Sequence, residues 1–154
     1  GRLGYNMQMT ELQAAFGLAQ MDRLEEFAHR RQKNFWALQF SLRAYEDWFI
    51  LPRFYEGSDP VFFCYPLTLK DEAPFSRLDI VRYLEERKIE TRQLFGGNLA
   101  RQPAYKNAKH RMGSSLENSD KVMRDTFFVG VWPGIDWPRL NYMLETFEGF
   151  LSGF

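Results

Sequence analysis

Side-chain capping signals punctuate this chain and set where its helices begin. Thr10 with Gln13, Asp22 with Glu25 and Ser76 with Asp79 each pair an N-cap acceptor with a polar residue three positions on. In such a box each side chain satisfies a backbone N–H that the first helical turn leaves without a partner. Asp136 supplies a further N-cap, with Ile135 and Leu140 spaced around it as a hydrophobic staple. Between the capped segments lie short runs rich in Val, Phe and Tyr, which suit a half-buried pleated surface. A chain divided in this way is confined to mixed architectures in which helices cover a small sheet.

The spacing predicts a first helix over Thr10 to Gln20, with Leu12, Ala15, Phe16 and Ala19 on one face. A second helix starts at Asp22 and runs to Glu46 through Leu24, Phe27, Ala28, Phe35, Leu38, Leu42 and Tyr45. Ile50 to Phe54 suits a short strand that Pro52 confines to an edge. Val61 to Leu69 is a strongly β-prone run, with Pro66 at a bulge or edge. Ser76 opens a helix with Leu78, Val81 and Leu84 inward, and Ile89 to Phe95 follows as a strand. Asn118 or Ser119 caps a short helix to Arg124, Phe127 to Trp132 is a third strand, and Asp136 caps the last helix. The expected fold is α+β: a small, mostly antiparallel three-stranded sheet with helices packed on one face. The polar stretch Gly96 to Glu117 is a long loop, and loops of that length are often functional.

The chain is long enough, at 154 residues, for one domain with a real core. Its 20 basic and 20 acidic side chains balance, so nothing in the charge favours nucleic acid, whose footprint is a clustered positive field. No apolar run approaches the roughly 20 residues that span a bilayer. The single cysteine, Cys64, rules out an internal disulfide and reads as a buried thiol. Cytoplasm is the expected compartment. The chain has no initiator Met and reaches the turn-like Gly4-Tyr5-Asn6 almost at once. Residues 1–9 read as a functional loop at the start of a cut piece, the C-terminal domain of a larger enzyme.

Familiar catalytic motifs are missing: there is no Gly-x-Gly-x-x-Gly, Walker loop, His-Glu-x-x-His or Gly-x-Ser-x-Gly. His29 and His110 lie far apart and read as surface residues. Polar residues beside glycine remain. Asn6 precedes a helix N-terminus, where free N–H groups and the helix dipole favour an anion, or else it only forms a turn. Arg92 offers a rigid fork of donors for a phosphate or sugar, or pairs with a strand neighbour such as Glu90. Asn98, Arg101 and Gln102 add a polar surface on the long loop.

Three segments carry a resemblance. Gly4 to Ala15 (GYNMQMTELQAA), Gly96 to Tyr105 (GGNLARQPAY) and Val129 to Gly134 (VGVWPG) together resemble the C-terminal domain of fold-type I, pyridoxal-phosphate-dependent sugar aminotransferases. Leu94 to Asn98, leading into Arg101-Gln102-Pro103-Ala104-Tyr105, is most similar to the 3-dehydrase branch, that of the CDP-4-keto-6-deoxyglucose 3-dehydrases of lipopolysaccharide sugar biosynthesis. The resemblance implies a homodimeric parent using pyridoxal or pyridoxamine phosphate as electron sink. That parent removes the C3 hydroxyl of a nucleotide-linked 4-keto-6-deoxy sugar, alongside a possible reductase partner. The cofactor pocket, and the cysteine ligands of any iron–sulfur cluster, then lie upstream, and this piece alone is inactive. By the same resemblance Asn6, with Gln8 beside it, reaches the phosphate of the partner subunit's cofactor, and Arg92, Asn98 and Arg101 lie near the sugar nucleotide. Many relatives have a basic residue where Gln8 stands, which weakens charge pairing there. Ala100 replaces a histidine of many aminotransferases, which fits the dehydrase branch. A sugar aminotransferase and a non-catalytic module that keeps the fold remain the alternatives.

Overall fold

The computed structural model describes Tyr5 and residues 7–154. Helix α1 spans Glu11–Met21 and α2 spans Leu24–Leu42, extended by a 3-10 turn at Arg43–Tyr45. Strand β1 is Phe49–Ile50, β2 is Cys64–Leu69, α3 is Arg77–Glu86 and β3 is Thr91–Gln93. Two 3-10 turns, Leu99–Arg101 and Pro103–Tyr105, precede α4 (Glu117–Asp125), β4 (Thr126–Gly130) and α5 (Trp137–Leu151).

The strands form one sheet in the order β1-β2-β4-β3, and every pairing is antiparallel. The last strand to be made therefore sits inside the sheet, with Tyr65 opposite Val129 and Thr91 also opposite Val129. The α+β class is as expected, but the sheet has four strands rather than three. The fourth is β1, which pairs only with Thr68 and Leu69. Pro66, which has no N–H to donate, thus has no strand neighbour on its β1 side.

Alternation along the strands sends Tyr65, Leu67, Leu69, Phe127 and Val129 into one core with Phe35, Leu38 and Leu42 of α2, Ile80 and Leu84 of α3, and Met143, Phe147 and Leu151 of α5. Each such side chain contributes about 1.5–3 kcal/mol on burial. Phe35 stacks on Phe62 at 4.3 Å between centroids and meets Tyr65 edge-on at 4.9 Å. The Tyr65 hydroxyl, fully buried, donates to Gln39 Oε1 at 2.9 Å. Burial first, and then the Glu46 charge, push its pKa far up.

Three helix starts are as the caps predict. Thr10 and Ser76 close full capping boxes, and Asp136 accepts from the Arg139 N–H. Other expectations are corrected. Asp22 is the C-cap of α1, and α2 starts after Arg23 with no side-chain cap, because the two helices are nearly continuous. Neither Asn118 nor Ser119 caps α4, which begins at Glu117 after Leu116. Ile80, not Leu78, joins Leu84 in the core. No residue of α1 is buried: Leu12 and Phe16 are 70% and 66% exposed, so its apolar face has no core to enter. The strands are shorter than expected, since each lasts only as long as its partner does.

Candidate functional site

Strand β3 is bracketed by two unusual backbone positions. At its start α3 ends in a Schellman turn: the Lys88 N–H donates to the Glu85 carbonyl and the Ile89 N–H to the Leu84 carbonyl, both at 3.0 Å. The turn places Lys88 at φ 63°, where a Cβ is crowded and glycine is the usual occupant. At its far end Phe95 stands at φ 50°, just before Gly97 at φ 57°. Lys88 and Phe95 both line one cleft of about 840 Å³.

Five aromatic side chains stand in the cleft's lining. Phe128 meets Phe63 at 5.8 Å and Phe95 at 6.1 Å between centroids. Trp132 and Tyr142 line the cleft as well. The Tyr142 hydroxyl donates to the Arg87 carbonyl at 3.1 Å, which ties α5 to the turn that holds Lys88. The turn carrying Trp132 is held from beneath by α2. Asn34, buried in mid-helix, donates its amide to the Trp132 carbonyl at 3.0 Å and to that of Ile135 at 3.5 Å. Lys88, Arg92 and Arg139 bring three cations to the lining against one carboxylate, Glu90.

The residues expected from the sequence divide between this cleft and a neighbouring cluster. Arg92 lines the cleft, and its Nε and Nη2 donate to Glu90 Oε1 at 2.8 and 2.7 Å, so the strand-neighbour pairing is present. Asn98 and Arg101 meet on a residue the sequence reading missed. Asn98 Nδ2 donates to Asp120 Oδ1 at 2.7 Å, and Arg101 grips both Asp120 oxygens at 3.0 and 2.9 Å. Those donors, Arg101 before Asn98, hold the Asp120 carboxyl below the usual range. Asn98 also accepts from the Ala100 N–H, and Gln102 donates to the Gly96 carbonyl at 2.7 Å. The cluster therefore folds the start of the long segment onto α4. Gln8 is exposed ahead of α1, and Asn6 lies outside the described residues. His29 and His110 are exposed, and Cys64 is a buried free thiol whose pKa burial raises.

Asp120 could be read in the sequence only as an acid in a first helical turn, where the dipole favours it. Nothing linked it to Asn98, 22 residues earlier. Among the described residues no group of three His, Cys, Asp or Glu side chains could hold a metal. None of the lysines is buried, and Lys121 is engaged by Asp71 and Asp125. No described helix is long and apolar enough to cross a membrane.

The chain belongs to the DegT/DnrJ/EryC1/StrS aminotransferase family, whose sequence profile matches residues 1–148. It is 44% identical over 150 residues to the lipopolysaccharide biosynthesis protein RfbH of Salmonella typhimurium, covering 97% of this chain and 34% of that protein. It is 38% identical over 150 residues to a dTDP-4-dehydro-2,6-dideoxy-D-glucose 3-dehydratase of Saccharopolyspora spinosa, covering 97% of this chain and 32% of the other. The fold matches E. coli GDP-4-keto-6-deoxy-D-mannose-3-dehydratase with bound hydrated PLP, with TM-score 0.76 and 22% identity, over 94% of this chain and 37% of that one. The chain spans about a third of the length of the curated relatives it matches.

Proposed function

We propose that this chain is the C-terminal domain, residues 1–154, of a larger PLP- or pyridoxamine-phosphate-dependent nucleotide-sugar 3-dehydrase of deoxysugar or lipopolysaccharide biosynthesis. The observation that carries the reading is the 38% identity, along 97% of the chain, to a relative named as a sugar 3-dehydratase. The 44% identity to a lipopolysaccharide biosynthesis protein gives the setting. In this reading the substrate is a nucleotide-linked 4-keto-6-deoxy sugar. The parent is a cytoplasmic homodimer, served by a reductase if its cycle requires one. The residues that hold the cofactor, and the ligands of any iron–sulfur cluster, belong to sequence outside this chain.

Within that parent, Asn6 donates to the phosphate of the partner subunit's cofactor, with Gln8 beside it. Arg92, Asn98 and Arg101 mark the side that faces the sugar nucleotide, with Asp120 fixing the last two. This chain by itself is catalytically silent.

The test is to supply the parent with cofactor and with CDP-, dTDP- and GDP-linked 4-keto-6-deoxy sugars, and to identify products by mass and NMR. Loss of the C3 hydroxyl is expected. A 4-amino sugar formed at the expense of glutamate would make the parent an aminotransferase. No turnover with any of them, together with no cofactor uptake, would leave a non-catalytic module.

A further inference from the structure

Helix α4 carries Asp120, the residue that Asn98 and Arg101 share, yet it contributes no buried residue and has no side-chain cap at its start. Most helices are held by packing an apolar face. With little burial to hold it, α4 is fixed by one end and by its charges.

Its C-terminal end is firm. Thr126 follows α4 directly as the first residue of β4, is 2% exposed and pairs with Thr68 in the sheet. The two hydroxyls lie 2.7 Å apart, and Arg77 of α3 donates to the Thr126 carbonyl at 3.5 Å. The N-terminal end has no such anchor among the described residues, and the stretch 103–115 that leads towards it is exposed.

Between these ends the helix works on two sides. Asp120 and Met123, three apart, face the 97–101 segment. Asp120 takes Asn98 and Arg101, and Met123 packs so closely on Gly97 that a Cβ there would overlap it. Lys121 and Arg124, one step round the helix, turn to the loop after β2. Lys121 Nζ lies 2.8 Å from Asp71 Oδ1 and 3.1 Å from Asp125 Oδ2. Arg124 Nη2 lies 2.8 Å from Asp125 Oδ2 and 3.7 Å from Asp71 Oδ1. Asp71 is the one partner in this set that lies outside α4, so it ties the helix to the body.

Lys121 is the sheltered cation of the set, its side chain 24% exposed against 64% for Arg124. A hydrogen bond to Asp71 holds its ammonium above the usual range. Burial works against the Asp125 charge, and Arg124 and Lys121 outweigh it, so that carboxyl stays low. Asp71 is open to solvent, and pairs with an exposed partner add little to stability. A small energy nevertheless suffices to set the angle of a helix that has little else to hold it.

We infer that Lys121, through Asp71, is a positioning residue: it sets the angle at which α4 stands on Thr126, and so where Asp120 presents Asn98 and Arg101 to a nucleotide sugar. The inference rests on the nucleotide-sugar reading above and deepens it, by naming what governs those two contacts from outside the site. At 1.5 Å of rise per residue Asp120 stands about 9 Å along the helix from Thr126, so a swing of a few degrees moves it by about 1 Å. A displacement of that size is large on the scale of a bound ligand.

The experiment uses this chain for position and the parent for binding. In the isotopically labelled chain, the side-chain signals of Asn98 and Arg101 are followed by NMR. Both should shift in Lys121→Gln and in Asp71→Asn, and return in Lys121→Arg, while the Tyr65 and Val129 amides stay in place. Raising salt from about 0.1 to about 1 M shortens the screening length from ~10 to ~3 Å, and should move the unsubstituted chain more than Lys121→Gln. In the cofactor-loaded parent, Lys121→Gln should raise the KM for the nucleotide sugar about three- to tenfold, with kcat within about twofold. Lys121→Arg should restore it. A purely structural role would lower the melting temperature and leave KM alone.

Unmoved Asn98 and Arg101 signals in Lys121→Gln would overturn the inference. So would an unmoved KM, or a Lys121→Arg no better than Lys121→Gln. Dehydrase turnover with an unmoved KM refutes the positioning role and keeps the function. If the parent proves to be an aminotransferase or inert, the function fails, and the KM or the Kd of the nucleotide sugar still decides the inference. A parent that neither turns over nor binds a nucleotide sugar refutes both.

Discussion

The Trp132 indole lies against Gly134, so close that a Cβ on residue 134 would overlap the ring. The contact is with a side chain that is mostly exposed, so the ring can swing away at little cost. Gly134→Ala should therefore leave the melting temperature nearly unchanged, with a loss below about 1 kcal/mol. The Trp132 indole resonance should nevertheless shift. A large loss of stability would mean that the ring is locked in place from its other side.

Gly97 presents the opposite case. It stands at φ 57°, and a Cβ there would meet Met123 Cβ at 2.6 Å and its backbone Cα at 3.0 Å. Neither the backbone dihedral nor α4 can yield cheaply. Gly97→Ala should cost about 2–4 kcal/mol, from the left-handed strain and the overpacking together. Chemical denaturation measures it, and a cost below that of Gly134→Ala would refute the account.

The Asp120 cluster should be sensitive to acid. Arg101 and Asn98 stabilise the ionised carboxylate and depress its pKa below the ordinary 3.8. The stabilisation is complete above that value, shrinks as the pH falls below it, and is gone once the pH has passed the depressed folded-state value. Asp79, held by Ser76, moves in the same direction. Amide exchange at 99–105, extrapolated to a common intrinsic rate, should rise on acidification below about 4. Asp120→Asn should give the same rise at neutral pH. Exchange that ignores both changes would show that the segment is held by other contacts. Asn98 is itself buried, so Asn98→Ala should cost about 1.5–3 kcal/mol, the scale of a hydrogen bond to a charged group.

Lys88→Gly should stabilise the chain. Relief of a left-handed non-glycine residue is worth about 1–2 kcal/mol, and the added freedom of glycine in the unfolded state offsets about half of it. A net gain of about 0.5–1 kcal/mol is expected from denaturant midpoints. Lys88→Ala keeps the Cβ and should show no such gain. If glycine is no better than alanine here, the turn is not strained.

The features that could be read in the sequence are those made by residues close together in the chain. The caps at Thr10, Ser76 and Asp136 act over three residues, and each is found in place. Strand positions and lengths depend on partners far away, so β1 falls at Phe49–Ile50 rather than Ile50 to Phe54, and β3 is cut to Thr91–Gln93. The apolar face of α1 is present but exposed, because periodicity shows that a face is apolar without showing what covers it. Arg92 was legible at the cleft because its residue type announces anion chemistry. Lys88 and Trp132 were not, since a backbone dihedral and an opposing glycine carry no residue-type signal of their own. Asn34 was hidden because a mid-helix asparagine looks neutral until its two carbonyl partners, about a hundred residues on, are known.

Helix α1 has an intact capping box and contributes no side chain to the core. A helix of 11 residues without tertiary support is marginal in water, so its winding is an equilibrium of its own, set by Thr10 and Gln13. Warming the chain should unwind it gradually, well before the body melts in one cooperative step. Whatever surface receives Leu12 and Phe16 meets a segment that is already wound part of the time. The entropy of ordering is thus settled partly in advance, by two polar residues at one end of the helix rather than by the apolar contacts along its side.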